Sequence, residues 1–499
     1  MRNPALALAS LLMMACNAGP YCDRDAAEAA LAAAAVGETV ELGSCEIQGP
    51  LHVPPGVQLA GTTGTVVVAP VESGGIVALG GDVPSTIHDL TVRVEGRVGI
   101  LVRGGGAARI ADVTIDARRG IAFGASELAE LELARVTLTG PVHADNAMDS
   151  RWVRVAGAPA EPAECPDPSG CDCTPGELDE AGERACDAEG RWATWTATFG
   201  LVLSDIGHAR LIDVDVNGFA AWGALLTDSD VVWGGGGVAD TLGVGVRQVG
   251  GTLALSYMAA VRTHGGLRGD RPYAIQATDG ARVEGLALSL VDNERYGLLL
   301  SGSTGRLENL VATGNGDAAL WISESTDFEL TGAGSALADN GFAGAVVVRS
   351  SGVRLAEATI QRTVSQERPI GAIGVLRIGD GVHVIETAGA VELADLVLTD
   401  NERAGVLVDL GAAGAGDVTF SSVSVTGTGA QLGAIAGRPG GAGQLTPEAP
   451  GTWDAGITRG GAVSANDLAF TGSIAAVTEP LPGPTFDPGN VLAVVAPMF

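Results

Sequence analysis

The densest set of reactive side chains in this 499-residue sequence lies in HADNAMDSRWVR, which brings His143, Asp145, Asp149, Arg151 and Arg154 together. A proton beside a carboxylate is abstracted only where a base meets it and a cation neutralises the carboxylate. Asp145 or Asp149 with Arg151 would supply that combination. On an extended segment Asp149, Arg151 and Val153 point one way, so an Asp–Arg pair would face a groove. The plainer reading is an ion pair on a solvated face, worth little. No catalytic residue is assigned; Asp145, Asp149 and Arg151 stand as the alternative. A second cluster, Arg262, His264, Arg268, Asp270 and Arg271, has the same two readings. His52, His88 and His383 are isolated and read as surface or core residues.

Composition narrows the chemistry further. All 29 basic residues are arginine, so lysine chemistry is excluded. Acids number 59 and the formal net charge is −30, which repels nucleic acid and dense polyanions unless a cation such as calcium bridges them. The stretch from about 157 to 196 is rich in acids, Pro and Gly and carries Cys165, Cys171, Cys173 and Cys186. It reads as a disulfide-held insertion whose pairing stays open among three connectivities. Its acids form no regular Asp-x-Asp-x-Asp loop, so no cofactor is assigned, with calcium as the alternative. Phe199, Trp222, Tyr273 and Tyr296 each stand just before a short apolar strand. The plainer reading is an aromatic stack that packs a turn; a sugar-stacking platform of Trp222, Tyr273 and Tyr296 is the alternative, and no binding residue is assigned.

The elements that must position these groups come from a repeat. IHDLTVRV at 87, IADVTIDA at 110, LARVTLTG at 133, LIDVDVNG at 211, VEGLALSL at 283, LENLVATG at 307, LAEATIQR at 355, LADLVLTD at 393 and FSSVSVTG at 420 share apolar first, fourth and sixth positions. Between them run glycine-opened strands: GILV at 99, GIAF at 120, GLVL at 200, GALL at 223, GVGV at 243, GLLL at 297, GAVV at 344, GVLR at 374 and GVLV at 405. Two or three short strands in 20–25 residues suit a coil whose turns stack in parallel and bury each other's apolar sides. Roughly fifteen coils would make a rod on the order of 70 Å at about 4.8 Å per step. Asn293, Asn315, Asn340 and Asn401 recur at one turn, where asparagine tolerates left-handed backbone and bonds to neighbouring coils.

This pattern resembles the right-handed parallel β-helix family of the pectate lyases. AAEAALAAAAVGETVEL followed by GPLHVPPGVQLAG resembles that family's opening, an amphipathic helix capping the coil through a Gly-acid-Thr-Val turn. The resemblance implies an all-β solenoid over 22–475 with Ala29, Ala32 and Ala33 on the helix's buried face. Cys22 and Cys45, apart from the other cysteines, are expected to pair and staple helix to coil. It also directs the search to polysaccharide chemistry. The polygalacturonase set of Asn-x-Asp, Asp-Asp, Gly-His-Gly and Arg-x-Lys is not matched: Gly207-His208-Ala209 stands alone and lysine is lacking.

Residues 1–15, one arginine and an apolar run ending LLMMAC, resemble a bacterial lipoprotein signal with Cys16 as the acylated residue. Residues 16–21 would then be an anchor linker and 476–499 a tail. The sequence therefore predicts a non-enzymatic β-helix lipoprotein, exported and lipid-anchored at the outer membrane or cell surface. It would act as scaffold, adhesin or carbohydrate-contacting protein with a polysaccharide or cell-surface partner and no nucleic acid. A polysaccharide lyase, hydrolase or epimerase acting on an acidic glycan is the alternative.

Overall fold

Positions one, four and six of the repeat are apolar because they line the inside of a coil. Ile87, Leu90 and Val92, then Ile110, Val113 and Ile115, then Leu133, Val136 and Leu138 are all buried in one continuous core. The computed structural model describes residues 21–71, 73–141, 184–186, 192–194, 198–265, 272–370, 374–402, 404–409, 418–426, 453–458, 463–466 and 469–471. Side chains are described within 21–141, 198–265, 272–366, 379–402, 405–406 and 418–425. Most of the insertion, the HADNAMDSRWVR segment, Cys16 and the tail lie outside these residues, as do the side chains of all four insertion cysteines; of the insertion only the backbone of 184–186 and 192–194 is described, as a short antiparallel pair.

Each coil contributes one strand to each of three parallel sheets, here A, B and C. Tyr273–Thr278 lies in sheet A, Arg282–Leu286 in sheet B and Ser289–Val291 in sheet C. The next coil repeats them as Tyr296–Ser301, Thr304–Glu308 and Val311–Thr313, in the register Tyr273↔Tyr296, Arg282↔Thr304 and Ser289↔Val311. About thirteen turns stack this way, fewer than the fifteen that spacing alone suggested, because the chain also leaves the coil. One departure is a hairpin in which Gln366–Ile370 pairs antiparallel with the start of Gly374–Ile385.

Three corners join the sheets, and backbone conformation fixes them. Apart from Phe342, every described non-glycine residue with left-handed φ falls into three stacked columns, one per corner. Left-handed backbone is costly for most L-residues and least so for Gly, Asn and Asp. Eleven of these residues are Asp and four are Glu. All of these acids except Asp240 are exposed, so much of the negative charge sits at corners where the carboxylates reach water. Arginine occupies four corner positions, Arg135, Arg262, Arg349 and Arg362. Each follows an acidic corner one coil earlier and pairs with it: Asp112, Asp240, Glu324 and Asp339 respectively.

The residue after each corner turns inward and differs by column. At the B–C corner it is aliphatic, as with Leu90 and Val113. At the A–B corner it is often Ser: the hydroxyls of Ser229, Ser303, Ser325 and Ser350 donate to nearby strand carbonyls. At the C–A corner it is Asn or Thr. Asn293 Nδ2 donates to Asn315 Oδ1 and Asn315 Nδ2 to Asn340 Oδ1, both at 2.8 Å, while Thr263 donates to Asn293 and Thr363 to Asn401. The asparagines do bridge coils. They do not take the left-handed backbone; their predecessors Asp292, Gly314, Asp339 and Asp400 do. The side chain is thereby free to point inside.

Four copies of the repeat are corrected by register. The true counterpart of Ile87 near 283 is Gly285, two residues on, because Gly285 pairs with Leu307. The sheet A member expected at GVLR (374) belongs to the hairpin instead, and the coil resumes at Gly381-Val382-His383-Val384, whose Val382 pairs with Ala345 and Val406. GIAF and GVGV are likewise shifted by two: Phe123 pairs with Ile100, and Val246 with Ala224. The recurring glycine has a steric reason. A Cβ on Gly223 would lie 2.6 Å from the Gly245 carbonyl oxygen of the next coil.

The cap is a helix, α1 (Arg24–Ala33), started by Asp23, whose side chain accepts the Ala26 amide. Cys22 and Cys45 form a disulfide beneath it. Glu28 accepts from the His52 amide and contacts its ring at 3.1 Å, tying the helix to the first coils. Ala27 and Leu31 are the buried residues, whereas Ala29, Ala32 and Ala33 are exposed. The i,i+4 pair carrying the only leucine of the helix decides the docked face.

Candidate functional site

Sheet A has an inner and an outer face. Its outer face gathers the candidate side chains. Strand alternation sends Leu298 and Leu300 into the core and Leu299 outward. Register then places Val202, Leu225, Arg247, Gln276, Leu299, Trp321, Val346 and His383 side by side in one outward column, one per coil. Steps of about 4.8 Å separate successive members. From Leu225 to Trp321 these side chains are half-buried; Val346 and His383 are fully buried.

A second column beside it carries the aromatics. Phe199 meets Trp222 edge-on with ring centroids 5.5 Å apart, and Tyr273 stacks on Tyr296 at 5.4 Å with planes 3° from parallel. The stack continues through Trp321 (5.1 Å) to Phe342 (6.2 Å). Together with Val244, Ala318, Val346 and Ile385, the rings of Trp222, Tyr273, Tyr296, Trp321 and Phe342 form an apolar cluster outside the coil. Tyr273 and Tyr296 are only 6% and 8% exposed, so their faces are spent on one another. Trp222 and Trp321 keep more surface and flank them.

Two guanidinium groups lie on these rings. Arg295 sits over Tyr296 with its carbon 5.1 Å from the ring centre and pairs with buried Asp317 at 2.6 Å. Arg247 sits over Trp222 at the same distance, and its Nε, out of reach of water, has no hydrogen-bond partner among the described residues. His264 stands near Glu294, which accepts the Gly265 amide. Burial lowers the His264 pKa most, outweighing Glu294 and Asp240, which raise it. The paired Asp240 raises that of Arg262.

Asp380 and His383 were not found by sequence reasoning as a pair. They lie 3.3 Å apart and are at most 1% exposed, at the far end of the same face. The signal was available: counting one coil back from Gly405 reaches Gly381, which puts His383 outward on sheet A. Trp321 and Phe342 were missed because they stand inside or ahead of their strands at other offsets from Tyr296. Trp222, Tyr273 and Tyr296 do come together on one face. Asp145, Asp149 and Arg151 are outside the described residues, as are Arg268, Asp270 and Arg271.

A polar hollow of about 460 Å³ lies elsewhere, lined by Thr62, Thr63, Thr65, Thr91, Asp89 and Asp112 among others. Its carboxylates are engaged, Asp89 with His88 and Asp112 with Arg135. Among the described residues no group of three His, Cys, Asp or Glu side chains could hold a metal ion, and no helix is long and apolar enough to cross a membrane.

Three parallel sheets, a helix cap and an outward side-chain ladder define a right-handed parallel β-helix. Neither a family model nor a curated protein matches the chain. Among solved structures it is similar to the A-module of a mannuronan C-5 epimerase of Azotobacter vinelandii, at 14% identity over 92% of this chain and 97% of that one, TM-score 0.34. It is also similar to a periplasmic alginate epimerase, at 10% identity over 89% and 83%, TM-score 0.31. A family 28 exopolygalacturonase of Yersinia enterocolitica matches at 10% identity over 92% and 77%, TM-score 0.28. At these values the likeness carries nothing about activity.

Proposed function

We propose that the protein is an exported, non-catalytic β-helix that contacts a glycan along the outer face of sheet A, with acylated Cys16 as its anchor. One observation carries the reading: half-buried Trp222, Leu225, Arg247, Gln276, Leu299 and Trp321 present aromatic, apolar, cationic and amide groups on consecutive coils. Sugars ask for that mixture, a flat apolar face to stack on and donors at its edge. The step of about 4.8 Å is close to the length of one pyranose, so a chain lying along the axis would meet one coil per sugar. The Cys22–Cys45 disulfide supports an oxidising compartment.

The test is binding of purified protein to a glycan array, followed by titration calorimetry with the best hit. Leu299→Glu, and separately Trp321→Ala, should each weaken binding roughly tenfold with circular dichroism unchanged. An array without hits, or full affinity in both variants, contradicts the reading.

A further inference from the structure

We infer that Arg247 is the subsite for a carboxylate carried by that glycan, an acidic oligosaccharide of low charge density; the inference rests on the sheet A reading above. Among the arginines whose side chains the structure describes, Arg247 alone is half-buried without a carboxylate partner. The others are either exposed, as with Arg97, Arg103 and Arg210, or paired, as with Arg262 and Arg295. In a chain with 59 acids and 29 arginines, a half-buried, outward-facing guanidinium left without an acid is unusual. Its Nε is out of reach of water and makes no hydrogen bond among the described residues, so the donors left for a ligand are the terminal nitrogens of this half-buried guanidinium.

The surroundings fix the geometry. The guanidinium carbon lies over the Trp222 ring, 5.1 Å from its centre, so the ring holds the cation in place before a ligand arrives. Gln276 follows on the next coil and adds an amide to the same column. An Arg fork matches a carboxylate by two parallel N–H···O bonds, and lysine does not.

The field of the whole molecule selects among acidic glycans. A net charge of −30 opposes a polymer charged at every sugar. Close to Arg247 two corners carry less unpaired negative charge. The A–B corner of its own coil is Gly250, where the coils on either side have Asp228 and Asp279, and Asp240 at the neighbouring corner is neutralised by Arg262. Beyond about 8 Å physiological salt screens the remaining acids. A carboxylate on every second sugar would gain the Arg247 contact without a second carboxylate on the adjoining coil.

The deciding experiment compares a hexasaccharide of alternating glucuronate and N-acetylglucosamine with its carboxyl-reduced, neutral counterpart. Wild-type protein should bind the acid form about tenfold more tightly. Arg247→Gln should bring the ratio of acid-form to neutral-form affinity to about one, whatever it does to the two affinities together, and Arg247→Lys should restore part of the preference. Equal binding of both ligands by wild type, or an undiminished preference in Arg247→Gln, overturns the carboxylate subsite and leaves the glycan face standing. Binding of neither ligand, neutral form included, overturns both.

Discussion

At the residue scale, the asparagine ladder shows how one side chain serves three coils. Asn315 receives the Asn293 amide, donates to Asn340 Oδ1 and donates to the Leu290 carbonyl, all buried. Asn315→Ala removes these bonds but leaves Asn293 Nδ2 its contact with the Ala260 carbonyl. The expected loss is about 2 kcal/mol in urea unfolding. Asn315→Asp should cost more, because a carboxylate would face two acceptors where a donor is needed. Equal stability of Asp, Ala and Asn at this position would show that the ladder is ornamental. The sequence made the four asparagines visible through their spacing, but not their orientation. That depended on which neighbour took the left-handed backbone, and Asp-Asn pairs such as Asp292-Asn293 leave the choice to the fold.

At the element scale, corners set the register and strands follow. Ala287 occupies the B–C corner at φ 52°, where most coils have Asp, Asn or Gly, and it has neither glycine's freedom nor a polar side chain to compensate. Ala287→Gly should therefore stabilise the protein by about 1 kcal/mol, read as an upward shift of the melting temperature. A destabilised variant would mean that the corner is held by packing and not by backbone preference. Corners also explain which strands were legible. Copies at 87, 110 and 133 have Asp89, Asp112 and Arg135 at the third position, so apolar spacing and corner coincide. At 283 the real corner is Ala287, and Val283 and Leu286 imitate the apolar pattern two residues early. The GVLR strand at 374 misled in the same way, since a hairpin strand also alternates. His383 was consequently read as isolated when it faces outward beside Asp380.

At the scale of the whole molecule, the coil converts a weak local pattern into a long continuous outer surface. No single strand of sheet A looks like a binding site. Stacking aligns one outward residue from each coil into a ladder that runs from Leu225 to Trp321 before it disappears under cover at Val346. Sequence alone could name Trp222, Tyr273 and Tyr296 because they share one offset from a strand start. It could not place Arg247, Gln276, Leu299 and Trp321 beside them, because that depends on pairing partners 20 to 30 residues apart. The central claim is that this ladder reads a glycan lengthwise. Calorimetric affinity across di-, tetra-, hexa- and octasaccharides of one series tests it most directly. The ladder predicts affinity that climbs with each added pair of sugars until about five or six coils are spanned, then levels off. Affinity already complete at the disaccharide would contradict it.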